Sequence, residues 1–186
     1  MSDFWEREIT HEAAAMLEHL PKDIALTGAD VGVLRAKTSC IMMHRLPMLR
    51  LVLVDNWREE SEGPTGEAVY REALGNLASF EGRFKIVHGD STMGADAVDD
   101  DALDYVLIDA DHTYPKCLID MLAWWPKLRE FGVMFHHDVD HPDFPHWGVR
   151  RAVSEFCEIN NVEYNVNTEI RMAVIHKPPM AMGRKC

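Results

Sequence analysis

Apolar positions along the chain follow two rhythms, and the rhythms alternate. Where they recur at three- and four-residue steps, they predict amphipathic helices. Residues 3–20 carry Phe4, Ile9, Ala13, Leu17 and Leu20 on one side, and Pro21 closes the segment. Residues 36–46 carry Cys40, Ile41, Met43 and Leu46 before Pro47, and residues 67–80 carry Val69, Ala73, Leu74 and Leu77. Residues 114–128 follow with Leu118, Met121, Leu122 and Trp125, up to a break at Gly132. Residues 148–160 place Val149, Ala152, Val153 and Phe156 inward, and a short helix with an acidic loop fits 92–102.

Between the helices lie short, continuous apolar runs, the pattern of strands buried on both faces. They are 24–33 (a strand and its exit), 51–54, 84–87, 104–109 and 133–135, with two late strands near 162–166 and 170–176. The segment 58–66 is polar and contains Gly-Pro, so it reads as a loop, either a lid or plain surface, and 178–186 reads as a frayed tail. Strands alternating with helices predict an α/β sandwich on a mostly parallel sheet, as a single domain over 1–186 with 1–21 as a leading helix.

Polar groups close the strands. Gly32, Asp55, Gly89-Asp90-Ser91 and Asp109 each stand at a strand exit, and Val133-Met-Phe135 ends in His136-His137-Asp138. Two neighbouring parallel strands would therefore bring Asp109, Asp111, His112, His137 and Asp138 to one edge. In open α/β sheets the carboxyl edge is where ligands bind.

Composition narrows the partners. The formal net charge is −12, from 31 acidic and 19 basic residues, and such a field repels phosphate backbones, so no nucleic-acid partner is expected. Cys40, Cys117, Cys157 and Cys186 form no CxxC pair, and Cys40 and Cys117 read as buried thiols. The chain starts without a signal-peptide pattern and has no run long enough to span a bilayer. The expectation is a reduced, cytoplasmic protein without a membrane partner; homo-oligomerisation stays open.

The strand ends also suggest a ligand. Asp30-x-Gly32-x-x-x-Ala36 turns a strand sharply into a helix, whose free N–H groups suit an anionic group such as a carboxylate. The Gly-x-Gly-x-x-Gly dinucleotide fingerprint is absent, and so is a Gly-Lys-Ser/Thr phosphate loop. Asp55, closing the second strand, stands where a carboxylate accepts both ribose hydroxyls. Together these favour an adenosine ligand that lacks a pyrophosphate.

In Asp30-x-Gly32, Asp55, Gly89-Asp90-Ser91, Asp109-Ala-Asp111-His112-Thr-Tyr114 and His137-Asp138, the chain resembles class I S-adenosylmethionine-dependent methyltransferases. The likeness runs from about Ala29 to Phe156, and is nearest to the small branch related to macrocin-type sugar and catechol or caffeoyl-CoA O-methyltransferases. It implies a Rossmann-like three-layer sandwich with a seven-stranded sheet whose last strand is antiparallel. It also implies S-adenosylmethionine as cofactor and O-methylation of a small-molecule acceptor. By this resemblance Asp30 and Gly32 face the methionine moiety, and Ser39 joins the cofactor set. Asp55 holds the ribose with Asn56 and Trp57 nearby, and Asp90 and Ser91 border the adenine. Asp109 belongs to the cofactor, catalytic and metal sets at once.

Four departures stand out. Ala36 replaces the family's usual glycine, and Phe131-Gly132 replaces Gly-Gly. In metal-dependent relatives an Asp-Asp or Asp-Asn pair lies where this chain has His137-Asp138, so Asp109, His137 and Asp138 form a candidate metal set. An imidazole there moves preference from Mg²⁺ towards Mn²⁺, Fe²⁺ or Zn²⁺. His136, Asp140, His141 and His146 crowd the same loop. His112 takes the place of the catalytic lysine of catechol-type enzymes, where it either takes the acceptor's proton or only shapes the pocket. Two other classes compete: a binding module that has lost transfer, and a metal-dependent oxygenase or hydrolase built on the His-rich loop.

Overall fold

The computed structural model describes residues 9–58 and 65–179. The expected elements are present in the expected order. Helix α1 is His11–Glu18, β1 Leu26–Val31, α2 Lys37–Arg45, β2 Leu49–Asp55, α3 Gly66–Leu77 and β3 Phe84–His88. Then come α4 (Ser91–Asp96), β4 (Leu103–Ile108), α5 (Tyr114–Trp124), β5 (Leu128–His136), α6 (Val149–Asn160), β6 (Tyr164–Asn167) and β7 (Met172–His176). Phe4, Cys186, most of the 58–66 loop and most of the expected tail lie outside the described residues.

The seven strands form one sheet in the order β3-β2-β1-β4-β5-β7-β6. Strands β1 to β5 pair in parallel, and β7 runs antiparallel to both its neighbours, β5 and β6. Alternation along the strands sends side chains to two separate cores. Tyr105, Leu107 and Phe135 face one core with Met16 of α1, Ile41 of α2 and Leu77 of α3. Val106, Ile108 and Met134 face the other with Ala95 of α4, Met121 and Trp124 of α5, and Phe156 of α6. Helices cover both faces, which makes the three-layer sandwich. The strand order reverses between β1 and β4, and a ligand crevice forms at such a switch point.

Details of phase differ from the sequence reading. In α1 the buried side is Ala13 and Met16, continued by Leu20, while Ile9 is half exposed. In α5 the buried side is Cys117, Met121 and Trp124, and Leu122 is exposed. Leu74 of α3 is exposed as well. Helix α5 stops at Trp124 and a 3₁₀ turn, Trp125–Lys127, follows around Pro126, which has no N–H to continue the helical ladder. Gly132 therefore breaks no helix. It sits inside β5, where its carbonyl accepts from Lys177 N and the register against β4 shifts between Leu103 and Tyr105.

Candidate functional site

The carboxyl ends of β1 and β4 touch at Gly32. Its φ is +90°, and a Cβ there would lie 1.9 Å from the Asp109 carbonyl oxygen, so only glycine fits. Asp109 N donates to Val31 O at 2.8 Å, and His137 N donates to Ile108 O at 3.0 Å, which extends the ladder to the ends of three strands. Above them opens a cleft of about 750 Å³, lined by Gly32, Asp55, Asn56, Asp90, Ser91 and Asp109 among others. That volume falls in the range of cofactor pockets.

On the β1–β3 side the polar groups are held by short contacts. Asp55 accepts from the backbone N–H of Leu34 (2.8 Å) and of Trp57 (2.7 Å), one on each oxygen. Each oxygen keeps a second lone pair for a ligand hydroxyl. The Trp57 indole donates to Leu34 O at 2.9 Å and packs on Tyr70 and His88, fixing the wall beside Asp55. Asn56 donates to Asp90 at 3.2 Å, and Ser91 Oγ accepts from the Trp124 indole at 2.9 Å.

Asp30 and Ser39 do not line this cleft. Both are buried below it, with Ser39 donating to Asp30 at 2.6 Å. Alternation sends the Asp30 side chain into the α1–α3 core towards Tyr105, and burial pushes its carboxyl up to about 6. Asp120 of α5 behaves alike: it lines the cleft, and burial raises it to about 6 against the opposing effect of Ser91.

The β4–β5 side gathers charge. His112 Nε2 lies 3.4 Å from Asp109 Oδ1 and 3.5 Å from Asp138 Oδ2. His137 Nδ1 lies 3.4 Å and 3.5 Å from the same two oxygens. Four donors thus close a ring, yet both ring nitrogens are buried without a hydrogen-bond partner. Burial would lift the Asp109 carboxyl, but the imidazoles of His112 and His137 hold it well below the usual carboxylate range. Burial also opposes charge on His137; Asp109, Asp138 and Glu12 outweigh it and push the imidazole up to about 11.

The remaining histidines and Asp140 of the loop do other things. His136 is fully buried, its Nδ1 lies 3.1 Å from His137 O, and burial depresses it to about 4. Asp140 pairs with Arg150, and His141 packs on Phe144 and Trp147. Among the described residues, Asp109, His137 and Asp138 form a group able to hold a metal ion, with one ligand atom from each within 4.8 Å of the others.

A family model described as a methyltransferase domain matches residues 30–139. The chain belongs to that methyltransferase family. Its fold is that of class I S-adenosylmethionine-dependent methyltransferases, and S-adenosylmethionine is the cofactor the family implies. One similar solved structure, from Staphylococcus aureus, is named as a candidate caffeoyl-CoA O-methyltransferase. It has 14% identity and a TM-score of 0.70, and the match covers 95% of this chain and 88% of that one. A precorrin-6y C5,15-methyltransferase from Geobacter metallireducens has 18% identity and a TM-score of 0.65, covering 93% and 92%. A TDP-rhamnose 3′-O-methyltransferase of calicheamicin biosynthesis has 15% identity and a TM-score of 0.62, covering 89% and 77%. No curated protein matches the chain in sequence.

Three residues around this cleft carry no mark in the sequence. Glu12 of α1 places Oε1 3.5 Å from His137 Nε2. Trp147 stacks on His112 with ring centroids 4.1 Å apart, carried there by a loop pinned where Gly148 N donates to His112 O. Asp120 points from α5 to the cleft.

Proposed function

We propose that the chain transfers a methyl group from S-adenosylmethionine to an oxygen of a small-molecule acceptor, with help from a divalent metal. What carries this reading is the single cleft joining the ends of β1, β2, β3 and β4, with Gly32, Asp55, Asp90 and Asp109 at its floor and walls. Asp55 accepts the ribose hydroxyls through its free lone pairs, and Asn56, Trp57, Asp90 and Ser91 shape the adenosine end. Gly32 lets the ligand approach the backbone. Asp30 and Ser39 act from below, bracing the β1 exit.

The buried, unpartnered nitrogen of His137 between two carboxylates fits a metal. Asp109, His137 and Asp138 would hold it, and the mixed nitrogen and oxygen set suits Mn²⁺, Fe²⁺ or Zn²⁺ as well as Mg²⁺. Bound there, a divalent ion supplies a Lewis acid that lowers the pKa of an acceptor hydroxyl. His112 stands beside Asp109 to collect that proton. Methyl transfer otherwise needs alignment above all, which the cleft walls supply. The rest of the reading is a single domain working in the cytoplasm.

Calorimetry with S-adenosylmethionine and S-adenosylhomocysteine tests the proposal. Binding of both, with a raised unfolding midpoint, is expected. No binding of either at millimolar concentration would sink it. Counting His112, the cluster holds two imidazoles and two carboxylates, a set that also suits a non-haem iron oxygenase. Turnover that dies with chelator and ignores S-adenosylmethionine would favour that second reading.

A further inference from the structure

His137 has two ring nitrogens, and the metal reading uses one. Nδ1 faces Asp109 and Asp138. Nε2 faces the other way, towards Glu12 Oε1 at 3.5 Å, and it too is buried without a hydrogen-bond partner. Glu12 comes from a distant part of the chain, the first turn of α1. That turn is capped by Thr10, whose side chain accepts from Ala13 N, and Ala13 and Met16 anchor the helix in the core.

We propose that Glu12 is a positioning residue for the metal: its carboxylate accepts the Nε2 hydrogen of His137 and so keeps Nδ1 free as the ligand atom. The inference rests on the metal-assisted reading and adds a residue to it. A neutral imidazole carries one hydrogen, and the hydrogen bond made by one nitrogen decides which nitrogen keeps a lone pair. Without Glu12, the nearest acceptors for that hydrogen are Asp109 and Asp138, the two carboxylates of the metal set. The hydrogen would then sit on Nδ1, and the nitrogen facing the metal would be a donor instead of a ligand. With Glu12 in place the hydrogen is drawn to Nε2, away from the metal. Closing the 3.5 Å gap to hydrogen-bond length takes a small movement of a partly exposed side chain. Outer carboxylates of this kind are worth about 10–100-fold in metal affinity.

A second consequence follows from linkage: if Glu12 helps the metal bind, the metal must help hold α1 in place.

The test strips the whole chain of metal and titrates it with Co²⁺ and Mn²⁺, by calorimetry and by the visible absorption of Co²⁺. Glu12→Ala is expected to weaken uptake about 10–100-fold and to change the Co²⁺ spectrum. Glu12→Gln, which keeps an acceptor oxygen, should lose less. The affinity of the metal-free protein for S-adenosylhomocysteine should stay where it was. Amide exchange across α1 should slow on adding metal to the wild type and not to Glu12→Ala. Equal uptake by wild type and Glu12→Ala overturns the role of Glu12 while leaving the metal. Loss of fold or of S-adenosylhomocysteine binding in step with metal makes Glu12 merely structural. No uptake by the wild type removes the metal and the role of Glu12 together.

Discussion

The two sides of the cleft are built on opposite plans. Along β1 to β3, strand-end groups such as Asp55, Asn56 and Ser91 have hydrogen-bond partners within the protein. Along β4 and β5, Asp109, Asp138, His112 and His137 converge at 3.4–3.5 Å, with the ring nitrogens buried and unbonded. Each such orphan costs about 1–3 kcal/mol, a cost that a bound ion would remove. A wall of satisfied groups with spare lone pairs suits the uncharged, hydroxyl-bearing adenosine end of a ligand. Two carboxylates facing buried, unbonded ring nitrogens suit a cation. The difference in wiring, more than the shared edge, argues for two ligands side by side.

The harshest way to break this division is Asp109→Ala. It removes one carboxylate from the ring and should abolish metal uptake and transfer, while affinity for S-adenosylhomocysteine moves by less than about threefold. Chelation should mimic it. His112→Ala is expected to cost about 10²–10⁴ in rate. Full activity of that variant, measured with any acceptor that supports turnover, would leave His112 as a wall of the pocket. Loss of adenosine-ligand binding by Asp109→Ala would mean that the two halves are one site.

The opposite half is probed by Asp55→Ala. Losing a pair of charge-assisted hydrogen bonds should weaken S-adenosylhomocysteine binding by about 1–3 kcal/mol, roughly 5–150-fold. The same carboxylate also ties Leu34 N to Trp57 N, so the loops above β1 and β2 should exchange amides faster in the variant. Metal uptake should not change. Unchanged nucleoside affinity in a folded Asp55→Ala would reduce Asp55 to a loop staple.

These halves were unequally legible in the sequence. Buried parallel strands read as apolar runs, so the sheet and the residues at its exits could be placed from order alone. Side-chain direction could not. Asp30 sits one step before the strand's last residue, and the two-residue period turns it into the core, where it meets Ser39 and Tyr105. The phase of α5 was off because Leu118, Leu122 and Trp125 are as apolar as the buried Cys117, Met121 and Trp124; hydrophobicity alone does not choose between overlapping stripes. Glu12 and Trp147 were out of reach for another reason. They meet the site through tertiary contacts spanning 125 and 35 residues (137 − 12 and 147 − 112), and no local pattern encodes such a meeting.

Asp30 offers a smaller and cleaner measurement, on the floor beneath the cleft. Burial raises its carboxyl from an ordinary 3.8 to about 6, so the folded state binds this proton more tightly than the unfolded chain. Its contribution to stability is therefore complete below about pH 4 and lost as pH rises through 6. Asp30→Asn keeps an oxygen for Ser39 and removes the buried charge. It should leave stability at pH 4 nearly unchanged and raise it by about 1–3 kcal/mol at pH 8. Urea melts across that range decide the matter. A variant that gains nothing above pH 6 would show that the carboxylate is stabilised by its surroundings and belongs with the satisfied half.

The smallest effect is expected at Ala36, where the family usually has glycine. Ala36 precedes α2 with φ +58° and ψ 26°, the left-handed region, while its side chain is fully buried. An L-residue there carries about 1–2 kcal/mol of strain, which Ala36→Gly would release. Against this stand the burial of one methyl, about 0.8 kcal/mol, and the extra freedom of glycine in the unfolded chain, about 0.4–1 kcal/mol. The terms nearly cancel, so stability should shift by less than about 1 kcal/mol in either direction. The effect on the cofactor half is the sharper readout. Leu34, exposed and also at positive φ (+49°), sits on the same turn and lends its N–H to Asp55. Freeing the turn with glycine should loosen that contact and lower S-adenosylhomocysteine affinity about twofold to threefold, without touching metal uptake. Tighter binding in Ala36→Gly would instead mean that the alanine methyl crowds the cleft, and that the strained turn holds this side open at the cofactor's expense.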